Sequence, residues 1–482
     1  MSQPEPPARL AVPRESKLVR GLNLLNCFGP DDDVLRLSQL AARAQVPLPT
    51  AHRLVQELEL CGMLERVGGH LRLGRSLALL ATRAQGHLHT LLDDSLPLLT
   101  RLHDATGLAV VLSARYGSQT LPIGHLSRLG GTTVVSYAPP DSMINSTLVA
   151  GALRRHDRGV VTPEVISHGE VTGVSAAISP PGTAIRAAVT LIGRGDRDAV
   201  AAAVPHVYAV AQGLSGQLAD AAVVPLPPSP PPPDPCPDTP SMLFRGISLL
   251  NSVRAGETRV SLSELANRTG LPKSTAHRLI SVLIDYQFLQ EGGAGVMFGP
   301  RVFALSAQVP SRRLLRATAL PWQRSLCEQS AGISCLLVPN APVMDPLTRV
   351  YFGGPMVSAF DRSVTGAVGR LCTAAARATV RTADPNGPFA MLSECPEYAS
   401  PPPSVVASEH GYAVATASGG LTALAVPVLT CGGIPDAVLT LVSQAPGLDT
   451  LRTRIRAARN AAADISRSCA NIPTETAAGL AH

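Results

Sequence analysis

A chain of 482 residues with net charge +6, 45% apolar residues and only 3% aromatic ones can supply several domains with ordinary cores. So few rings argue against a stacking platform for single-stranded nucleic acid, whereas mild basicity suits duplex DNA. Nine cysteines without a Cys-x-x-Cys pair, no secretory leader and no apolar run of membrane-spanning length lead to the expectation of a reduced, cytoplasmic compartment and no membrane partner.

Residues 1–15 are rich in proline and read as a disordered tail. Val19, Leu22 and Leu25 then give a helix over Lys17–Asn26, and a second helix follows over about Ser38–Ala44. A turn holding Pro47 leads into a third, where Ala51, Leu54, Val55 and Leu58 recur at i, i+3, i+4 and i+7 and form one buried face. Its other face carries Thr50, His52, Arg53 and Gln56. Short extended runs at Leu64–Arg66 and Leu71–Leu73 flank Val67-Gly68-Gly69-His70, a hairpin signal. Two helices, a tight turn and a hairpin make a winged helix-turn-helix over residues 16–80, whose third helix would enter the major groove.

From Ser76 to Leu102 a leucine-rich linker helix is expected to lead onto the next domain. Residues 104–222 then alternate apolar runs with glycine-bearing breaks, namely Leu108–Leu112, Thr120–Ile123, Thr132–Tyr137 and Ala187–Ile192, and close on a helix over Asp198–Ala222, so that linker helix and domain together span 81–222. A mixed sheet with helices on its faces fits this order. Residues 223–240, nearly all proline from Pro225, form a polyproline II spacer.

Everything then recurs. Thr-Ala-His-Arg-Leu appears at Thr50–Leu54 and again at Thr275–Leu279, with His277 standing 225 residues after His52. The same shift holds from Arg20-Gly21 against Arg245-Gly246 to Gly74 against Gly299, and Thr106-Gly107 against Ala331-Gly332 suggests that it continues. The second winged domain is placed at 241–306, with helices over Leu243–Val253, Leu262–Thr269 and Leu271–Leu283. Its recognition face is Lys273, Ser274, Thr275, His277, Arg278 and Ser281. Ser261 and Glu264 have the spacing of a reciprocal helix cap; Arg36 and Gln39 stand there in the first copy as a weaker one. A second α/β domain is placed at 307–472, with strands at Ile333–Val338, Leu347–Phe352, Leu421–Val428 and Ala437–Val442 and a closing helix over Thr450–Ala470, before a tail at 473–482.

The chain resembles the IclR family of bacterial transcriptional regulators. The resemblance rests on Arg-Gly-x-x-Leu-Leu-Asn at Arg20 and Arg245, Leu-Ser-x-Leu-Ala at Leu37 and Leu262, Leu-Pro-Lys-Ser-Thr-Ala-His-Arg-Leu at Leu271, and Leu-Gly or Phe-Gly at Leu73 and Phe298. It covers both winged domains. Over the domains that follow it rests on Thr365-x-x-x-Gly369, Thr147-x-x-x-Gly151 and Gly411-Tyr412-Ala413-Val414. What it implies is an α+β architecture, a winged helix-turn-helix followed by a GAF-like α/β effector domain, present twice in one chain. It implies double-stranded operator DNA and a small-molecule effector, an organic or aromatic acid, as partners, and dimeric assembly, here an intramolecular pseudo-dimer that could itself form a homodimer. Thr365, Gly369, Thr422, Thr147, Gly151 and Ser175 become candidate effector contacts.

The copies differ. Leu48 and Pro49 replace Lys273 and Ser274 in the first recognition helix, and the second wing, Gln290–Phe298, has no basic residue where the first has Arg66, His70 and Arg72. Arg66 and Arg72 are therefore candidates for backbone or minor-groove contact. The first effector domain is short between Gly151 and Gly173. The sixteen residues of the spacer reach about 50 Å as polyproline II, beyond the roughly 34 Å between half-sites one turn apart.

The bland reading of the recognition faces is a solvated helix, which their repetition in a winged context outweighs. His87-Leu88-His89 with Asp93 and Asp94 has poor spacing for a metal site, since i and i+2 point to different faces of a helix. Cys335, Cys372 and Cys431 could sense oxidants, although small buried thiols are the commoner case. No nucleophile elbow, phosphate loop or metal quartet appears, so neither catalysis nor a cofactor is expected. The competing reading is a small-molecule or protein-interaction module that keeps the winged fold without binding DNA.

Overall fold

The structure is a computed structural model. It describes residues 16–29, 32–116, 119–137, 143–160, 162–181, 185–195, 197–219, 241–254, 257, 259–292, 295–340, 343–352, 362–383, 404–408, 410–417, 420–429, 435–444 and 447–470, with side chains at 84–90, 119, 143–144, 310–311, 340, 343 and 362–367 outside the description.

In chain order the described elements are α1 Lys17–Asn26, α2 Leu37–Arg43, α3 Leu48–Leu60, β1 Leu64–Val67, β2 His70–Leu73, α4 Arg75–Thr106, β3 Ala109–Tyr116, β4 Gln119–Leu129, β5 Thr132–Tyr137, α5 Met143–Asp157, β6 Glu164–His168, β7 Val171–Ile178, β8 Ala187–Arg194, α6 Arg197–Ala202 and α7 Val204–Ala219. The second copy follows with α8 Met242–Asn251, α9 Leu262–Thr269, α10 Lys273–Asp285, β9 Leu289–Gly292, β10 Gly295–Phe298, α11 Pro300–Ala307, α12 Pro310–Ser330, β11 Ile333–Asn340, β12 Val343–Phe352, α13 Arg362–Ala383, β13 Ser404–Ser408, β14 Tyr412–Thr416, β15 Leu421–Leu429, β16 Pro435–Gln444 and α14 Leu448–Ala470.

The chain divides into two compact units. Among the described residues, one gathers those within 16–85 and 241–313; the other gathers those within 86–219 and 314–470.

In the first unit the winged domains pack against each other through α1 and α8. Leu243 lies over Gly21 and Leu18 over Gly246, so each helix offers a glycine to the other's leucine. Further ties run from Arg83 to the carbonyl of Asn251 at 3.0 Å and from Arg301 to Asn26 Oδ1 at 2.6 Å. The second helices start on complementary half-caps. Ser261 Oγ accepts from the Glu264 amide at 3.1 Å while the Glu264 carboxylate turns to Arg268 at 2.9 Å; in the first copy Gln39 Oε1 accepts from the Arg36 amide at 2.8 Å.

The second unit is built on one antiparallel twelve-stranded sheet of order β13-β14-β15-β16-β11-β12-β5-β4-β3-β8-β7-β6. Each copy supplies six strands, and the halves meet where β12 pairs with β5, Thr348 opposite Ser136 through Phe352 opposite Thr132. On the first half α4, α6 and α7 bury Leu92, Leu99, Val207 and Leu214 against Val110, Leu112 and Val189, and α5 buries Val149 and Leu153 on Ala188 of the opposite face. On the second half α13 packs on Cys335 and Leu337, and α12 and α14 pack on Leu336 and Val338, the alternate residues of the same strand.

Several expectations are corrected. The 225-residue shift drops to 224 after the wings: Pro97 answers Pro321, Pro122 answers Pro346, and the bulge after Leu112 answers the one after Leu336. Gly107, at φ 68°, therefore corresponds to Ala331, at φ 49°, and not to Gly332. The closing helix of the first half is two helices, because Pro205 has no amide for a helix interior but suits the first turn of α7. Helices α5 and α13 and strands β6, β7, β13 and β14 lie outside the runs read from the sequence. The N-terminal tail, the proline spacer and the C-terminal tail fall outside the described residues.

Candidate nucleic-acid interface and effector sites

Helices α3 and α10 bury the faces their spacing predicts, with Ala51, Leu54, Val55 and Leu58 in one and Ala276, Leu279, Ile280 and Leu283 in the other. The opposite faces are open. His52, Arg53, Gln56, Lys273, Ser274, His277 and Arg278 are exposed, and Thr50, Thr275 and Ser281 half-buried. Ser281 Oγ donates to the His277 carbonyl at 3.0 Å, which leaves its lone pairs outward as an acceptor. Among the described residues Lys273, Arg53 and Arg278 make no ion pair. Leu48 opens α3 with 51% of its surface exposed, in the place Lys273 holds in α10.

The wing arginines differ from this. Arg66 pairs with Glu59 at 2.9 Å, and Arg72, largely covered, pairs with Glu65 at 2.8 Å. Glu65 also accepts from the Arg75 amide at 3.0 Å. Their charge is thus neutralised within the first winged domain. Arg43 pairs with Asp32, whose carboxyl it holds below the usual range, and Arg268 spans Glu257 and Glu264. Arg53, Lys273 and Arg278 keep exposed basic charge on the two recognition helices.

In the first effector half a cavity of about 230 Å³ opens between the end of α5, strand β7 and α7, lined by Arg155, His156, Ser175, Tyr208, Gln212 and Ser215. Ser175 is buried in its wall and accepts from Thr190 Oγ1 at 3.0 Å. Thr147 and Gly151 lie on α5 but do not line it; Thr147 is exposed, and a β-carbon on Gly151 would stand 3.5 Å from the Arg155 guanidinium. In the second half a surface cleft of about 320 Å³ lies between α12 and α14, lined by residues such as Gln329, Asp449 and Arg454. Neither Gly369 nor Thr422 lines it. Gly369 is on α13, where a β-carbon would come within 3.9 Å of Arg349, and Thr422 is buried on β15. The Thr365 side chain is outside the described residues.

Sequence reading missed one constellation. Arg349 stands in the apolar strand β12 with its side chain only 3% exposed, 3.4 Å from Asp93. Tyr137 donates to the same carboxylate at 2.6 Å and presents its ring 5.6 Å from the guanidinium. A lone arginine within Leu347–Phe352 was the available signal. Asp93, considered above as a metal ligand, has this arginine as its partner, while the side chains of His87 and His89 lie outside the described residues. Among the described residues no group suited to a metal ion is found, and no helix is long and apolar enough to cross a membrane. Cys335 and Cys372 are buried with sulfurs 3.8 Å apart. Hydrogen bonding from Cys372 and the nearby Arg349 bring the Cys335 thiol down to about 7 against its burial. Cys431 is outside the described residues.

Comparison with known proteins places the winged segments. The family model of the IclR helix-turn-helix domain matches residues 17–68 and again 242–293. Both winged domains belong to the IclR helix-turn-helix family. The transcriptional repressor IclR of Escherichia coli and the acetate operon repressor of Salmonella typhimurium are each 33% identical over 90 residues, 18% of this chain and 33% of theirs. The chain thus spans about a third of the length of these curated IclR relatives. Among solved structures, an IclR homolog complexed with 4-hydroxybenzoate from Microbacterium hydrocarbonoxydans is 21% identical, covering 48% of this chain and 99% of that one at a TM-score of 0.31. The Thermotoga maritima IclR is 17% identical, covering 47% and 98%, at a TM-score of 0.26.

Proposed function

We propose that the chain is a DNA-binding transcriptional regulator whose two IclR domains read the half-sites of one operator and whose effector halves answer to a small organic acid. The observation that carries the reading is the pairing of two IclR domains in one compact unit, each exposing a Thr-x-His-Arg face without neutralising carboxylates. Phosphate contacts from Lys273, Arg53 and Arg278 would supply salt-dependent affinity, and bidentate base contacts from the same arginines would add roughly 1–3 kcal/mol of discrimination each. The chain acts as an intramolecular pseudo-dimer, so operator symmetry follows its own approximate two-fold.

The effector is an organic or aromatic acid, the class implied by the family resemblance. In the first half Arg155, which pairs with Glu164, lines the cavity with His156 and Tyr208, a polar wall able to hold an acid by hydrogen bonds. Ligand control of DNA binding requires that the acid prefer one of two arrangements of the chain, because a ligand shifts an equilibrium only by its difference in affinity.

The exposed Leu48 and the neutralised wing favour a second reading, a module that retains the winged fold but has given up DNA. One experiment separates them: binding of the full chain to the DNA upstream of its own gene at two salt concentrations, beside an Arg53→Ala/Arg278→Ala variant. Specific, salt-sensitive binding lost in a folded variant establishes the regulator. Equal failure of both proteins at low salt establishes the module.

A further inference from the structure

The seam between the effector halves is built from residues that the duplication did not copy. With Pro97 answering Pro321 and Pro122 answering Pro346, Leu92 and Asp93 of the first half correspond to Arg316 and Ala317 of the second, and His125 corresponds to Arg349. One half carries the carboxylate and the other carries two arginines.

Both arginines reach across. Arg349 meets Asp93 at 3.4 Å beneath the Tyr137 ring, and Arg316 donates to the Tyr137 carbonyl at 3.1 Å. Arg324, also of the second half, donates to Thr132 Oγ1 at 3.0 Å. Where the approximate symmetry would repeat the Arg349–Asp93 contact, His125 lies instead within the field of Arg316. A neutral imidazole tolerates that neighbour; a second guanidinium would not.

We infer that this seam fixes the identity of the partner: the second effector half is made to pair with a first half and is barred from pairing with another copy of itself. Two second halves paired in this way would set Arg349 beside Arg316 at both ends of the seam, with Ala317 in the place of Asp93, and like charges so placed repel. Two first halves would match His125 with Asp93, but only by leaving their second halves without partners. Pairing of unlike halves gives Arg349 its carboxylate and sets an imidazole, not a second guanidinium, near Arg316. The Leu18–Gly246 and Leu243–Gly21 contacts of the winged domains are alike in both directions and so do not make this choice. Buried ion pairs retained for pairing specificity have precedent as a device.

The test uses the full chain and two readouts, mass by light scattering across a dilution series and amide hydrogen exchange at β5 and β12. In an Arg316→Leu/Ala317→Asp/Arg349→His variant the second half bears the first half's residues. It is expected to form additional, larger species as second halves find each other across chains, whereas the wild-type chain keeps a single mass. Asp93→Leu strands Arg349 and is expected to lose protection at β5 and β12 while the winged hairpins stay protected, and adding Arg349→Met restores it. Should Asp93→Leu fail to fold, Asp93→Asn keeps the shape and gives the same local loss. An unchanged mass distribution in the triple variant, or seam protection indifferent to Asp93, overturns the inference.

Discussion

The side chain of Leu243 fills the space above Gly21 so closely that a β-carbon there would stand 2.5 Å from its Cδ1, and Leu18 treats Gly246 the same way at 2.6 Å. Two helices can approach this nearly only where one of them has no side chain. Gly21→Ala or Gly246→Ala is therefore expected to force α1 and α8 apart at a cost of about 1–3 kcal/mol, typical of overpacking. Thermal unfolding of the full chain measures the cost. A loss smaller than a surface substitution produces would show that these helices are not held by that contact.

Three left-handed backbone positions are matched between the copies, with glycine in one and another residue in the other. Gln45 at φ 54° answers Gly270 at 65°, Gln287 at 61° answers Gly62 at 65°, and Ala331 at 49° answers Gly107 at 68°. A side chain in this region costs about 1–2 kcal/mol, partly offset by the smaller entropy a non-glycine residue loses on folding. Gln45→Gly, Gln287→Gly and Ala331→Gly are each expected to raise stability by about 0.5–1 kcal/mol, and Gly270→Ala, with open space around its β-carbon, to lower it by a similar amount. Denaturant midpoints at constant slope decide the matter.

These pairs also show what could be read without coordinates. The recognition helices were legible because a 3.6-residue apolar period and an internal repeat agreed on the same residues, and α1 ends where the sequence places it. The slip from 225 to 224 residues was hidden by a coincidence, since Thr106-Gly107 and Ala331-Gly332 look alike while backbone conformation aligns Gly107 with Ala331. Strand β13 buries little and leaves Val406 67% exposed, so periodicity has no core face to report. The Asp93–Arg349 contact was out of reach for another reason: charge partners so far apart in sequence are brought together only by the strand order of the sheet.

His125 offers a pH test of the seam. Burial, then the neighbouring His103 and Arg316, hold its imidazole below the ordinary value of 6.5. The unfolded chain therefore binds a proton that the folded one resists. Stability from the neutral ring is fully present above the unfolded value and is lost as pH falls below it. Unfolding midpoints at pH about 7.5 and about 5.5 are expected to draw together in a His125→Gln variant, which has no proton to take up there. A variant whose midpoints fall with pH as steeply as the parent's would move the sensitivity elsewhere.

The two recognition helices should not contribute equally to DNA affinity. Lys273 stands exposed at the start of α10, where a lysine can meet a phosphate beside the helix amides, and its counterpart Leu48 can supply no charge. One phosphate contact changes the slope of log affinity against log salt by about 0.9. Lys273→Leu is thus expected to flatten the salt dependence by that step, and Leu48→Lys to steepen it, while neither alters the preference among operator sequences as Arg278→Ala would. Anisotropy titrations of a labelled operator over a salt series read both slopes. Equal slopes in all three proteins would mean that the first turn of α10 stays clear of the backbone, and the exposed leucine of α3 would then mark no difference between the half-sites.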